Sequence, residues 1–194
     1  STLNVEKRVA EINVVLGTSS SKLKSFGNEL FNVAAKTGMG FNQAAEAATE
    51  FSRQGLGLEK TLARVNDALV LSRLTGLSVA AAVDTITAAI NGYNLTLKEQ
   101  ENLTSRIIAV DQAFAVSGAD ISEALRRVAS TARGAGVSLN ELIAIVTAAQ
   151  QKTARGGAII GNSFKTIFTR LQRPKTLEAL EQLGIKTRDA TGAM

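Results

Sequence analysis

The 194 residues contain no cysteine and no histidine. That absence excludes zinc sites of the Cys/His kind, thiol nucleophiles, disulfides and histidine bases. There is one proline, against a usual share of about 5%, and there is no tryptophan; aromatics make up 4% of the chain. A core built around large rings is therefore ruled out, and long uninterrupted helices are favoured. No run approaches the roughly 18 consecutive apolar residues of a membrane span. The strongest candidate, Leu77 to Ile90, is broken by Asp84. The opening stretch STLNVEKRVAEI has no apolar core of the kind a signal peptide carries.

What the chain does have is alanine, 30 residues of it, within an apolar share of 45%. Alanine has the highest helix propensity and lets helices approach closely. The length suits one domain, or one domain with an arm. The chain starts at Ser1 without Met and stops after Gly-Ala-Met; we read it as part of a longer polypeptide.

The stretch from Gly118 to Pro174 predicts three helices. The first opens at Asp120 as N-cap, with Glu123 three residues on as its capping-box partner. Ile121, Leu125, Val128 and Ala132 form its apolar stripe, and Gly134 and Gly136 end it. Ser138 and Glu141 form a second capping box ahead of Leu139, Leu142, Ile143 and Val146. Gly156 and Gly157 break the chain. Ile160, Phe164, Ile167, Phe168 and Leu171 then make a third stripe, which Pro174 stops.

Upstream, Val5, Val9, Ile12 and Leu16 mark a first helix ended by Gly17, and Thr18 to Ser21 is a turn or N-cap. Leu23, Phe26, Leu30 and Val33 carry a second helix to about Lys36, with Gly27 inside its register. From Thr37 a helix–turn–helix repeat runs three times. It opens on Phe41, Val79 and Ile121 and closes on Gly55, Gly92 and Gly134. Thr96 and Glu99 cap a further helix to about Ala115. After Pro174, Leu177, Leu180 and Leu183 mark a short helix with Gly184 past its end. One helical hairpin cannot bury both faces, so successive hairpins must stack. The expectation is an all-α fold of about eight to ten helices in stacked antiparallel hairpins. Residues 1–36 form an N-terminal helical arm and residues 37–194 a core domain. Alanine stripes such as Ala44, Ala45, Ala47 and Ala48 bury little area each, so a single chain leaves apolar surface for other copies of itself.

Catalytic patterns are not evident. Glu46 and Glu50 lie one turn apart on an alanine-rich helix, where solvated carboxylates are the plainer reading than a glycosidase pair. Gly134-Ala135-Gly136 and Gly156-Gly157 follow no strand and match no phosphate-loop pattern. Capping explains the first; close helix packing, with Gly161 one turn later, explains the second. No catalytic group, cofactor or metal is expected.

Charge is uneven. The net +5 hides 11 Lys or Arg against 13 Asp or Glu in residues 1–125, and nine against one in residues 126–175. The nine are Arg126, Arg127, Arg133, Lys152, Arg155, Lys165, Arg170, Arg173 and Lys175; the one acid is Glu141. Such a block can face phosphate, a membrane surface, an acidic protein wall or plain solvent. Stacking aromatics are not interleaved in it, which argues against single-stranded nucleic acid.

Four segments in order carry a resemblance: TGLSVAAAVDTITAAINGYNL, SGADISEALRRVASTARGAGVSLNELIAIVTAA, GGAIIGNSFKTIFTRLQRP and TLEALEQLGIKTRDATGAM. Over about Thr37 to Met194 the chain resembles the core region of phage tail tape measure proteins. Gly40 departs from the pattern, standing where that family more often has a capping Ser, Thr or Asp. The resemblance implies a structural, non-enzymatic virion protein made in the host cytoplasm. It would set tail length as tube subunits assemble around it. It would lie in the tail lumen or tip and leave at DNA ejection. Implied partners are tail tube and baseplate, hub or distal tail proteins, tail chaperones and further copies, with DNA or host membrane during ejection. The alternative is an envelope-active module that acts on membrane or peptidoglycan to help DNA enter. Within the tail, the basic block is expected to meet an acidic protein wall.

Overall fold

A computed structural model describes residues 2–187. Its regular structure is all α-helix: α1 (Thr2–Leu16), α2 (Ser20–Thr37), α3 (Phe41–Arg53), α4 (Leu58–Thr75), α5 (Val79–Tyr93), α6 (Leu97–Ala113), α7 (Gly118–Gly134), α8 (Leu139–Thr153), α9 (Gly157–Leu171) and α10 (Pro174–Gln182). The all-α expectation holds, with ten helices among the described residues. The closing segment from Arg188 to Met194, quoted above for its resemblance, lies outside them. The chain divides into two compact units. The first comprises Ser1–Ile86 and Thr96–Ile108; the second comprises Thr87–Leu95 and Ala109–Met194.

In the first unit α3 is the central helix. It packs on α1, α2 and α4, and α2 also packs on α4. Ala44, Ala45, Ala47, Ala48 and Phe51 are all fully or almost fully buried. Residues this close around a helix circumference can all be buried only if neighbours lie on several sides. Methyl side chains let the neighbours come near enough to cover them. These alanines therefore belong to the unit's own core and offer no surface to another copy. Residues 1–36 supply α1 and α2, with Val9, Ile12, Phe26 and Leu30 buried. Gly27 sits in its helical register for a packing reason: a Cβ there would lie 3.3 Å from a methyl of Val9.

In the second unit the most extensive pairing is α7 with α9, and α8 packs on α7 and, less extensively, on α9. Ile121, Leu125, Val128 and Ala132 of α7, Leu142 and Val146 of α8, and Ile160 and Phe168 of α9 form the core. The end of α5 is tied down here by two long-range bonds. The Tyr93 hydroxyl donates to the carbonyl of Val137 at 3.0 Å, and Arg133 donates to the carbonyl of Gly92 at 3.2 Å. Burial, with the Glu141 charge adding to it against Arg133, pushes the Tyr93 phenol up to about 12.

Three expectations are corrected. Asp120 is not the N-cap of α7; Ser117 is, and its side chain accepts from the Asp120 N–H. Serine's short hydroxyl takes the cap one turn earlier, which frees the Asp120 carboxylate for another use. Ile121 is accordingly the fourth residue of its helix, whereas Phe41 and Val79 are the first of theirs. Gly92 and Gly134 do not terminate helices by conformation. Both are helical, and a Cβ would meet Ala129 at 3.0 Å in one case and Gln172 Oε1 at 2.9 Å in the other. After α7 the left-handed turn is taken by Gly136, at φ +78. Of the three matching glycines, only Gly55 has positive φ.

The two Thr/Ser–Glu capping boxes form as expected. Glu99 accepts from the Thr96 amide at 2.8 Å and its hydroxyl at 2.7 Å; Glu141 accepts from the Ser138 amide and hydroxyl at the same distances. The Thr96 amide, then its hydroxyl, hold the Glu99 carboxyl below its usual 4.5; the Ser138 hydroxyl, then its amide, do the same for Glu141. A carboxyl with a lowered folded pKa stabilises the fold above its ordinary value. That stabilisation is lost as pH falls from 4.5 through the folded value. We therefore expect the exchange protection of the Thr96 and Ser138 amides, corrected for intrinsic rates, to drop below that pH. Protection that stays constant as both carboxyls are protonated would contradict this.

Candidate interaction surface

The sequence placed the chain's strongest charge asymmetry in residues 126–175. The structure distributes it over α7, α8, the α8–α9 turn, α9, the α9–α10 junction and α10. Arg127, Arg133, Lys152, Arg155, Lys165, Arg170, Arg173 and Lys175 are exposed, and Arg126 is half-buried. Arg126 and Arg127 are held by one carboxylate just outside the block. Glu123 accepts from Arg126 at one oxygen and from Arg127 Nε at 2.8 Å at the other. The pairs are i,i+3 and i,i+4 on one helix, so their spacing follows from the sequence. Arg133 is anchored on the Gly92 carbonyl. Lys152, Arg155, Lys165, Arg170, Arg173 and Lys175 make no ion pair among the described residues.

What positions these cations is the α7–α9 contact. At Gly157 a Cβ would fall on the Asp120 backbone, 2.7 Å from its carbonyl carbon and 2.8 Å from Cα. At Gly161 it would lie 2.9 Å from Ala124 Cα and 3.2 Å from Arg127 Cβ. The two helices thus touch backbone to backbone over glycines four residues apart, one turn of α9. The Asp120 carboxylate fastens the junction. One oxygen accepts from the buried Gly157 N–H at 2.7 Å, and the other accepts from Gln150 Nε2 at 3.1 Å. Gln150 Oε1 in turn accepts from the Gly156 N–H at 3.0 Å. A side chain of α7 and one of α8 therefore satisfy the amides that open α9, which has no side-chain cap of its own. The sequence reading missed this clasp because it assigned Asp120 to its own helix.

The third apolar stripe is also divided. Ile160 and Phe168 are buried against the unit, and Phe164 stacks on Phe168 with ring centroids 5.8 Å apart. Ile159, Ile167 and Leu171 point outward, 53%, 47% and 36% exposed. The signal was present in the sequence: Ile159, Ile160, Phe164, Ile167, Phe168 and Leu171 cover more of the helix circumference than one face holds.

In the first unit a groove of about 660 Å³ is lined in part by Val33, Lys36, Leu62, Asp67, Leu97 and Lys98. Burial raises the Asp67 carboxyl against the opposing pull of hydrogen bonds from Gln100, at 2.6 Å, and Asn66. The groove is open and of mixed charge. Among the described residues no group of three or more Asp or Glu is placed to hold a metal ion, and no helix is long and apolar enough to cross a membrane.

Comparison with known proteins gives a consistent picture. The model of the family of phage-related minor tail proteins matches residues 20–194. The tape measure protein of Pneumococcus phage Dp-1 is 19% identical over 97% of this chain, which spans 16% of that protein. The probable tape measure protein of Escherichia phage P2 is 38% identical over 74 residues, 37% of this chain and 9% of that protein. The chain thus spans a small fraction of the relatives it matches. No solved structure matches it.

Proposed function

Because the chain belongs to the family of phage-related minor tail proteins, a structural tail component of the virion, we propose that it is part of a tape measure protein: a scaffold that sets tail length while the tube assembles. In this reading the helical chain occupies the tail lumen or tip and leaves when DNA is ejected. Its partners are tube, baseplate or hub proteins, tail chaperones and further copies of itself. The basic block of residues 126–175 faces an acidic protein wall rather than single-stranded nucleic acid, since the helices that carry it have no exposed stacking aromatics. The observation that carries the reading is the match to one tape measure protein across nearly the whole chain. The all-helical architecture accords with it.

The test is tail length. At about 1.5 Å per residue of continuous helix, deleting roughly 100 residues of an extended helical stretch of the parent protein should shorten tails by about 150 Å. Duplicating the same segment should lengthen them equally. Electron microscopy of purified tails reads both. Tails of unchanged length would sink the proposal.

A further inference from the structure

Helix α9 has two apolar faces, and the unit uses one. Gly157, Ile160, Gly161 and Phe168 are buried. Ile159, Ser163, Ile167 and Leu171 follow one another every four residues, so they form one ridge that winds by about 40° per step from the outer side of the helix toward the edge of the buried face. Ile159, Ile167 and Leu171 are 53%, 47% and 36% exposed. The hydroxyl within this row has its proton engaged: Ser163 Oγ donates to the Ile159 carbonyl at 2.9 Å. The row therefore presents an apolar ridge with no unsatisfied side-chain donor that a partner would have to desolvate.

The surroundings of the ridge are of one sign. From Leu142 to Leu177 there is no Asp or Glu. Arg170 stands on α9 three residues beyond Ile167, Arg155 precedes the helix and Arg173 follows it, all exposed and without an ion pair among the described residues. We infer that the outer face of α9 seats an amphipathic helix of another protein, one whose apolar stripe is flanked by Asp or Glu. This rests on the protein-wall reading of the basic block and supplies the partner's chemistry. Apolar ridges four residues apart pack into the grooves of a facing helix, and a flanking acid would sit opposite Arg170. Charge decides against the other occupants. A second copy meeting face to face would set cations against cations. Phosphate needs no aliphatic ridge, and an interfacial membrane helix uses a broader apolar face with aromatic or Leu anchors.

The experiment measures binding of a fluorescent synthetic helix of about five turns to the 194-residue chain. The helix carries Leu on one stripe and Glu on both flanks; its control replaces every Glu by Lys. The acidic helix should bind and the basic one should not. Binding should weaken at least tenfold in the double variant Ile159→Gln, Ile167→Gln. It should also weaken in Arg170→Gln and as salt rises, since exposed charges are screened within about 10 Å at 0.1 M. Both variants change exposed positions and should keep their helical circular dichroism. Equal binding of the two helices, no binding, or no loss in either variant overturns the inference. So does self-association, or binding to phosphatidylglycerol vesicles, that the Ile variant abolishes while the acidic helix fails to bind. Tails that follow chain length without acidic-helix binding would sink this inference alone; binding without length dependence would sink the tail-length reading alone.

Discussion

Replacing Gly157 by Ala lowers the stability of the second unit by about 3 kcal/mol, at the upper end of what overpacking a well-packed contact costs. An alanine in a helix is otherwise worth about 1 kcal/mol more than a glycine, so an open site would show the opposite sign. The contact decides the matter. The new methyl would fall on the Asp120 carbonyl group, 2.7 Å from its carbon and 2.8 Å from Cα, and these are backbone atoms that no rotamer change can move. The helices must separate, which also stretches the Gly157 N–H bond to the Asp120 carboxylate. Gly161→Ala should cost less, because its methyl meets Ala124 Cα at 2.9 Å and Arg127 Cβ at 3.2 Å. Gly55→Ala is the control: no atom lies within 4 Å, and only the left-handed backbone at φ +76 opposes it, at about 1–2 kcal/mol. Thermal unfolding should rank the three, with Gly157→Ala lower by roughly 6–12 °C, taking 2–4 °C per kcal/mol for a chain of this size. A Gly157→Ala protein as stable as the parent would mean that α7 and α9 are not in backbone contact.

Removing the Asp120 carboxylate is the second large effect. Asp120→Ala breaks two bonds at once and leaves the buried Gly157 N–H without its acceptor. Hydrogen bonds to a charged group contribute about 1.5–3 kcal/mol, and the loss here should be about 3 kcal/mol. Asp120→Asn should recover only about half of that, for a geometric reason. Gln150 Oε1 is held by the Gly156 N–H, so its Nε2 is the group presented to residue 120. Asparagine has one acceptor oxygen. It can take the Gly157 N–H or Gln150 Nε2, but its own amide then faces a donor at the other position. Asp120 also lies in the first turn of α7, where a negative charge favours the helix. Gln150→Ala separates the two contributions, since it breaks the clasp and leaves that charge in place. Urea unfolding, with amide exchange at Gly157 and Gly156, checks the series. An Asn variant indistinguishable from the parent, or an Ala variant within about 0.5 kcal/mol of it, below the range for a charged hydrogen bond, would refute the clasp.

The helices themselves were legible in the sequence. Apolar residues recurring with helical period, capping boxes at Thr96–Glu99 and Ser138–Glu141, and Pro174 at the first position of α10 are local facts. They act through the backbone within four residues, and no knowledge of distant packing is needed to read them. The concentration of cations in residues 126–175 was equally legible, because charge is a property of the list of residues. What each glycine does was not. Gly55, Gly92 and Gly134 look alike in a repeat, yet one is a left-handed turn and two are places where another segment comes within about 3 Å. The roles of Asp120 and of the third apolar stripe were hidden in the same way. A carboxylate near a helix start can cap its own helix or reach another. An isoleucine in a stripe can face the core or stand outside it. Only tertiary structure decides between these, because each outcome depends on which atoms from distant parts of the chain occupy the few ångströms beside the residue. Periodicity fixes the direction in which a side chain leaves its helix; what it meets there is set by the packing of the other helices.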